Sequence, residues 1–177
     1  MKLVILDRDG VINYDSEEFI KHPDEWRPIP GSLEAIAQLT QSGWRVVVAS
    51  NQSGIGRGLL DMATLNAIHS KMHKAVSQAG GRIEAVFYCP DTDASHSACR
   101  KPNPGMFLAI AERFNAALER VPAVGDSLRD LQAAAAVGAR PILVLTGKGE
   151  KTHAAGHLPK GTEIYPDLAA VARVLCQ

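Results

Sequence analysis

The chain has 177 residues, 46% of them hydrophobic and 21% charged, which is enough for one domain with a substantial core. Its 19 basic and 19 acidic residues cancel, so it offers no net positive charge to a nucleic acid or an anionic membrane. Three cysteines are too few for a disulfide scaffold, and no apolar run nears the roughly 20 residues of a membrane span. No signal peptide precedes the first strand, so the expected setting is the reducing cytoplasm.

Leu3 to Leu6 is a short apolar run that ends in Asp7-Arg8-Asp9-Gly10, the pattern of a strand buried on both faces. Two carboxylates two residues apart on an extended chain point the same way. Such a pair is costly unless a cation or a shifted pKa relieves it. A polar, irregular stretch follows from Asn13 to Arg27. Ser32 is expected to cap a helix carrying Leu33, Ile36, Ala37 and Leu39, which Gly43 stops. Arg45 to Ala49 reads as the second strand, ending in Ser50-Asn51-Gln52 and a glycine-containing loop from Ser53 to Gly58.

The next helix is expected from about Met62 to Ala79, with Leu65, Ile68, Met72 and Val76 as its apolar stripe. Ile83 to Tyr88 is a third strand, leading into a loop from Cys89 to Asn103. Pro104 suits the first turn of a helix, with Asn103 as its cap. Val121 to Val124 is a fourth strand broken by Gly125-Asp126, and Ser127 opens an alanine-rich helix ended by Gly138. Pro141 to Leu145 is a fifth strand. Residues 146–163 read as a mobile loop before a last helix from about Pro166.

Five strands separated by helices indicate an α/β fold with a doubly wound parallel sheet in a single domain, 1–177. In such sheets the working face lies at the carboxyl ends of the strands. Asp7 and Asp9 follow strand one, Ser50 and Asn51 follow strand two, and Asp126 follows strand four. Arg100-Lys101 lies on the same side, after strand three. Carboxylates gathered this way suit a hard cation such as magnesium, and a lysine with backbone amides suits a phosphoryl group. The set points to phosphoryl transfer, in which a carboxylate can be the nucleophile.

The four segments DRDGV (7–11), SNQ (50–52), RKP (100–102) and VGDSLRD (124–130) resemble, in order and spacing, the motifs of the haloacid dehalogenase superfamily of phosphatases. The resemblance implies a Rossmann-like sheet and an aspartyl-phosphate formed on Asp7. Asp9 is then the general acid and later the base, while Ser50 and Lys101 hold the phosphoryl group. It also implies magnesium on the carboxylates of Asp7 and Asp126 and the backbone carbonyl of Asp9, with Asp130 in support. The intervals between motifs leave no room for a cap domain, so the enzyme is expected to be capless.

Within the capless group, LDRDGVIN, SNQSGIGRG and YCP followed by CRKPNPGM are similar to phosphatases of sugar bisphosphates. The implied substrate is the 7-phosphate of a D-glycero-D-manno-heptose 1,7-bisphosphate, in lipopolysaccharide core precursor synthesis. Histidinol phosphate is the alternative. Arg8, Asn51, Gln52, Ser53, Arg57 and Arg100 are the expected substrate contacts, and the enzyme is expected to act as a monomer. Relatives carry a zinc loop of the form Cys-x-His, a gap, then Cys-x-Cys. Here Cys89 and Cys99 keep the outer positions while Asp91 and Ser97 replace the inner ones, leaving open a structural zinc completed by His96, Asp91 or Asp93, or a metal-free loop.

Other features read as structural. His69 and His73 share a helix face, but no acidic base follows His69 and nothing ties them to the strand ends, so solvated or half-buried positions are expected. Gly54, Gly56 and Gly58 fit neither phosphate-loop pattern, and Gly147-Lys148-Gly149 reads as a loop after strand five. Trp26 is either a packing residue or a lid. A receiver-like phospho-acceptor domain is the alternative of another class, but strand three ends in Tyr88-Cys89-Pro90 with no acid to accept phosphate.

Overall fold

The first strand, β1 (Leu3–Leu6), is apolar throughout because it serves two cores at once. Val4 and Leu6 pack into one layer and Leu3 and Ile5 into the other, as the period-two alternation of a strand requires. The second strand, β2 (Arg45–Asn51), divides the same way, with Val46 and Val48 on one side and Val47 and Ala49 on the other. The computed structural model describes residues 1–177. It adds β3 (Ile83–Cys89), β4 (Pro122–Gly125), β5 (Arg140–Val144) and β6 (Glu163–Tyr165) to one parallel sheet in the order β3-β2-β1-β4-β5-β6.

Helices cover both faces. Three of them, α1 (Ser32–Gln41), α3 (Met62–Gln78) and α7 (Leu168–Leu175), bury Ile36, Leu39, Ile68, Met72, Leu168 and Val171 against Val4 and Leu6. On the opposite face α4 (Gly105–Phe114) and α5 (Leu128–Ala136) contribute Met106, Phe107, Ile110, Ala133 and Ala134. Two short helices, α2 (Ser53–Gly56) and α6 (Gly149–Ala155), lie at the carboxyl ends of β2 and β5. No helix is long and apolar enough to cross a membrane. The chain leaves β1 toward β2 and β3, then returns to place β4 on the other side of β1. That reversal opens a crevice above the ends of β1 and β4, the usual ligand position in such sheets.

Several expectations are corrected. The sheet has six strands, because residues 163–165 pair with β5 through Ile142, Leu143 and Val144. Three residues carry too little pattern to read as a strand; the neighbouring edge and the Arg140–Glu163 ion pair define it. Gly31, with φ at 89°, precedes α1 in place of a Ser32 cap. The Ser32 hydroxyl instead donates to the Val11 carbonyl at 2.8 Å. Helix α4 begins at Gly105 with Pro104 at its cap, so Asn103 lies outside it. The stretches expected as loops at 53–58 and 146–163 contain α2 and α6.

Candidate active site

Asp7 is the first residue past β1, and its N–H donates to the Val124 carbonyl of β4 at 2.9 Å. The Lys101 ammonium reaches it from the loop after β3. Nζ donates to the Ala49 carbonyl at 2.6 Å, to Asp130 Oδ1 at 2.8 Å and to Asp7 Oδ1 at 3.3 Å. Asp130 is occupied further, since its Oδ2 accepts from the N–H groups of Asp126 and Ser127 and from the Ser127 hydroxyl. This is a capping box at the start of α5. Asp130 thereby orients Lys101 and the Asp126 turn.

Charge at this point is out of balance. Asp7, Asp126 and Asp130 bring carboxylate oxygens within 4.8 Å of one another, around a single lysine. Burial, and next the Asp130 charge, push the Asp7 carboxyl well above its ordinary range despite Lys101. Burial and Asp130 likewise push Asp126 up to about 7. Burial works against charge on Lys101 and Asp130, but their mutual attraction outweighs it: Lys101 is held above its usual value and Asp130 below. An all-oxygen donor set carrying more negative charge than one lysine neutralises fits a hard divalent cation.

Two glycines let the backbone close around Asp126. Gly10 has φ at 84°, and a side chain there would collide with the Asp126 carboxylate. Gly147, with φ at 57°, lies as close to Asp126 and to Gly10. The Lys148 N–H donates to Asp126 Oδ2 at 2.9 Å and the Thr152 hydroxyl to the Asp126 carbonyl at 2.8 Å. Thr146 donates to the Gly10 carbonyl at 2.6 Å. The segment after β5, expected as a loose loop, is therefore bonded into the site.

Asp9 is held differently. Its Oδ1 accepts from Arg8 Nε at 2.8 Å and Asn13 Nδ2 at 2.9 Å, and its Oδ2 from Gln52 Nε2 at 3.2 Å. Burial raises the Asp9 pKa, but the Arg8 charge and these hydrogen bonds outweigh it and hold the carboxyl below its ordinary value. Arg8 is 0% exposed. The expectation that it touches substrate is corrected: it lies behind Asp9, bonded also to Gln52 and His69. His69 is corrected too, being buried within the α3 stripe rather than solvated or half-buried. Its position at the fourth step from Leu65, between Ile68 and Met72, was the signal in the sequence.

The site opens into a cavity of about 250 Å³ that Asp7, Asp9 and Asp126 share with Gln52, Ser53, Arg57 and Arg100. Ser127 and Arg129 of the VGDSLRD segment also line it, as do Asp15, Glu17 and Lys148, which no motif marked and which loop packing brings there. Asn51 lines the cavity as well, while its side-chain amide makes two bonds to the Lys101 backbone. Ser50 is buried, its hydroxyl accepting from Gln52 Nε2 at 2.7 Å. Arg57 Nε donates to Ser53 Oγ at 3.4 Å, and Arg100 bonds the Asp91 carbonyl and pairs with Asp93. Trp26 is 1% exposed and is a core residue rather than a lid.

Cys89 and Cys99 are joined by a disulfide. This corrects the metal expectation for the pair as it stands, because zinc binds thiolates and neither sulfur is one. Asp91 lies beside both sulfurs, and Ser97 Oγ is 3.1 Å from Cys99 Sγ. The bond closes the loop that brings Asp93 to the cavity, and Arg100, next to Cys99, lines it as well.

Known proteins resemble the chain over its whole length. The family model described as polynucleotide kinase 3 phosphatase matches residues 2–134, and a HAD-hydrolase-like model matches residues 98–171. A D-glycero-beta-D-manno-heptose-1,7-bisphosphate 7-phosphatase of Bordetella bronchiseptica is 62% identical, covering 100% of this chain and 99% of that one. The Pseudomonas putida protein of the same name is 56% identical over 99% of both chains. The solved D,D-heptose 1,7-bisphosphate phosphatase of B. bronchiseptica, complexed with magnesium and phosphate, superposes with a TM-score of 0.98 at 62% identity, covering 99% of this chain and 98% of that one. The Burkholderia thailandensis structure gives 0.79 at 57% identity, with the same coverage of the two chains. With its motifs in order and whole-chain identity at this level, the chain belongs to the HAD-like hydrolases, in the family of the D-glycero-beta-D-manno-heptose-1,7-bisphosphate 7-phosphatases.

Proposed function

We propose that this protein is a magnesium-dependent, capless phosphatase that removes the 7-phosphate of D-glycero-beta-D-manno-heptose 1,7-bisphosphate, a step toward the heptose of lipopolysaccharide core. The observation that carries the reading is Asp7 at the open end of β1, facing the cavity with Lys101 3.3 Å from its Oδ1 and Asp126 beside it. The 62% identity to a phosphatase of that name supports the substrate.

In this reading the Asp7 carboxylate attacks phosphorus. The bond from phosphorus to the C7 oxygen breaks, and Asp9 donates a proton to the departing alkoxide. Asp9 then takes a proton from water, which attacks the aspartyl-phosphate, releasing phosphate and restoring the Asp7 carboxylate. Magnesium would be held by the carboxylates of Asp7 and Asp126 and the Asp9 carbonyl. When bound it neutralises charge on the phosphoryl oxygens. Lys101 and Ser50 hold those oxygens, and Arg57 and Arg100 meet the second phosphate as planar cations. Zinc belongs to this reading only with the Cys89–Cys99 pair reduced. Metal analysis of reduced protein would then find zinc that Cys89→Ala loses.

The test is phosphate release with magnesium from heptose 1,7-bisphosphate and from histidinol phosphate. A higher kcat/KM on histidinol phosphate would overturn the substrate, and turnover by Asp7→Asn would overturn the nucleophile. Phosphorylation without turnover would restore the receiver-like alternative.

A further inference from the structure

His69 takes part in no bond-making step, yet its ring is buried against the machinery. It is 8% exposed, and its Nε2 lies 3.1 Å from Nη1 of Arg8. Arg8 is wholly buried, and a guanidinium has five donors and no acceptor. Its other nitrogens are committed, Nε to Asp9 Oδ1 at 2.8 Å and Nη2 to Gln52 Oε1 at 3.2 Å. The contact with His69 is therefore a hydrogen bond only if Nε2 accepts, with the ring neutral and its proton on Nδ1. Burial first, then the Arg8 charge and that of His73, bring the ring to about 4 and keep it in this form.

The fixed guanidinium determines what Asp9 can do. Arg8 and Asn13 both bond Oδ1, at 2.8 and 2.9 Å, whereas Oδ2 has only the longer contact from Gln52 at 3.2 Å. Oδ1 is thus occupied, and Oδ2 keeps a lone pair free to hold and hand over a proton. We propose that His69 is a positioning residue for this proton transfer: by accepting from Arg8 it fixes the guanidinium that pins Asp9 Oδ1 and leaves Oδ2 as the proton-carrying oxygen. His69 itself neither gains nor loses a proton. In the first half-reaction the proton passes from Oδ2 to the leaving alkoxide, and in the second from water to Oδ2. This rests on the reading of Asp9 as the general acid and base.

The experiment is a rapid-quench measurement of the first turnover with two leaving groups, the sugar alkoxide of heptose 1,7-bisphosphate and the nitrophenolate of p-nitrophenyl phosphate. Nitrophenolate departs without a proton, so a residue that serves the acid affects only the sugar. His69→Leu, similar in size but with no acceptor, should slow the sugar reaction about tenfold or more, within the roughly 10²–10⁴ available to acid–base help. It should leave the nitrophenol burst within about threefold. His69→Gln, which restores an acceptor, should recover the sugar rate. In an Asp9→Asn background His69→Leu should add nothing.

Equal slowing of both substrates, slowing of neither, or a His69→Gln variant as poor as His69→Leu would overturn the proposal. If His69→Leu does not fold, His69→Asn against His69→Gln carries the test. The shorter amide keeps polarity but loses reach, and equal sugar rates in the two would count against the role. Should Asp9→Asn itself show no preference between leaving groups, the reading of Asp9 fails before that of His69.

Discussion

Burying a neutral histidine against an arginine makes the fold sensitive to acid, and the size of the effect follows from the site. His69 is brought from 6.5 to about 4 by burial and by Arg8, with His73 adding to both and Asp9 opposing. A folded-state pKa below the unfolded one means that the unfolded chain binds more protons between those values. Stability is therefore intact above about pH 6.5 and is lost as pH falls toward about 4, with no further loss from this group below that. At about 1.4 kcal/mol per unit, the full loss is on the order of 3 kcal/mol, and some 2 kcal/mol of it should be gone by about pH 5. His69→Gln removes the titration while keeping an acceptor for Arg8. Urea unfolding of both proteins, with chelator present throughout, should show the wild type losing about 2 kcal/mol more than the variant between about pH 7.5 and 5. In a protein of this size that corresponds to roughly 4–8 °C in Tm. A wild-type-to-variant difference that stays constant with pH would refute the reasoning.

Lys101→Met leaves Asp7 and Asp130 buried together without their cation. It should cost about 3–5 kcal/mol in urea unfolding under chelator, and a loss below about 1 kcal/mol would mean that the pair is not held as charges. Gly147→Ala places a methyl against Asp126 and Gly10 at a positive φ. A strain of about 1–3 kcal/mol at that turn should raise the magnesium needed for half-maximal activity. Gly138→Ala, also at positive φ but with open space around it, should leave the magnesium requirement unchanged; parallel titrations decide. Chelation should bring phosphate release to background and added magnesium should restore it, whereas Asp126→Asn should not recover at the same magnesium concentration.

Much of the rim of the candidate site was legible because its residues are tied to strand ends. Asp7 and Asp9 are fixed by where an apolar run stops, and Asp126 by the break at Gly125 after β4. Lys101 was visible only as part of a motif. What makes it distinctive, three acceptors gathered around a buried ammonium, comes from β1, β2 and α5 meeting it in space. Arg8 shows the converse. Adjacent to two acids, it reads as a substrate contact, yet just past the end of β1 its side chain enters the interior and bonds Asp9 Oδ1 from behind. His69 was set aside for want of an acid in sequence, while its partner is an arginine 61 residues away.

The sequence by itself determined the layers, the parallel sheet and the acids on its carboxyl rim, since these follow from local hydrophobic period and from where strands end. Only the tertiary structure decided that Asp9 is clamped through Arg8 and His69, that Lys148 and Thr152 close over Asp126, and that Cys89 and Cys99 are bonded to each other. It also decided that Glu163–Tyr165 completes the sheet. Those features depend on which groups share a buried space. The net effect of a buried charge or donor is set by the partners it meets there, and these partners lie far apart along the chain.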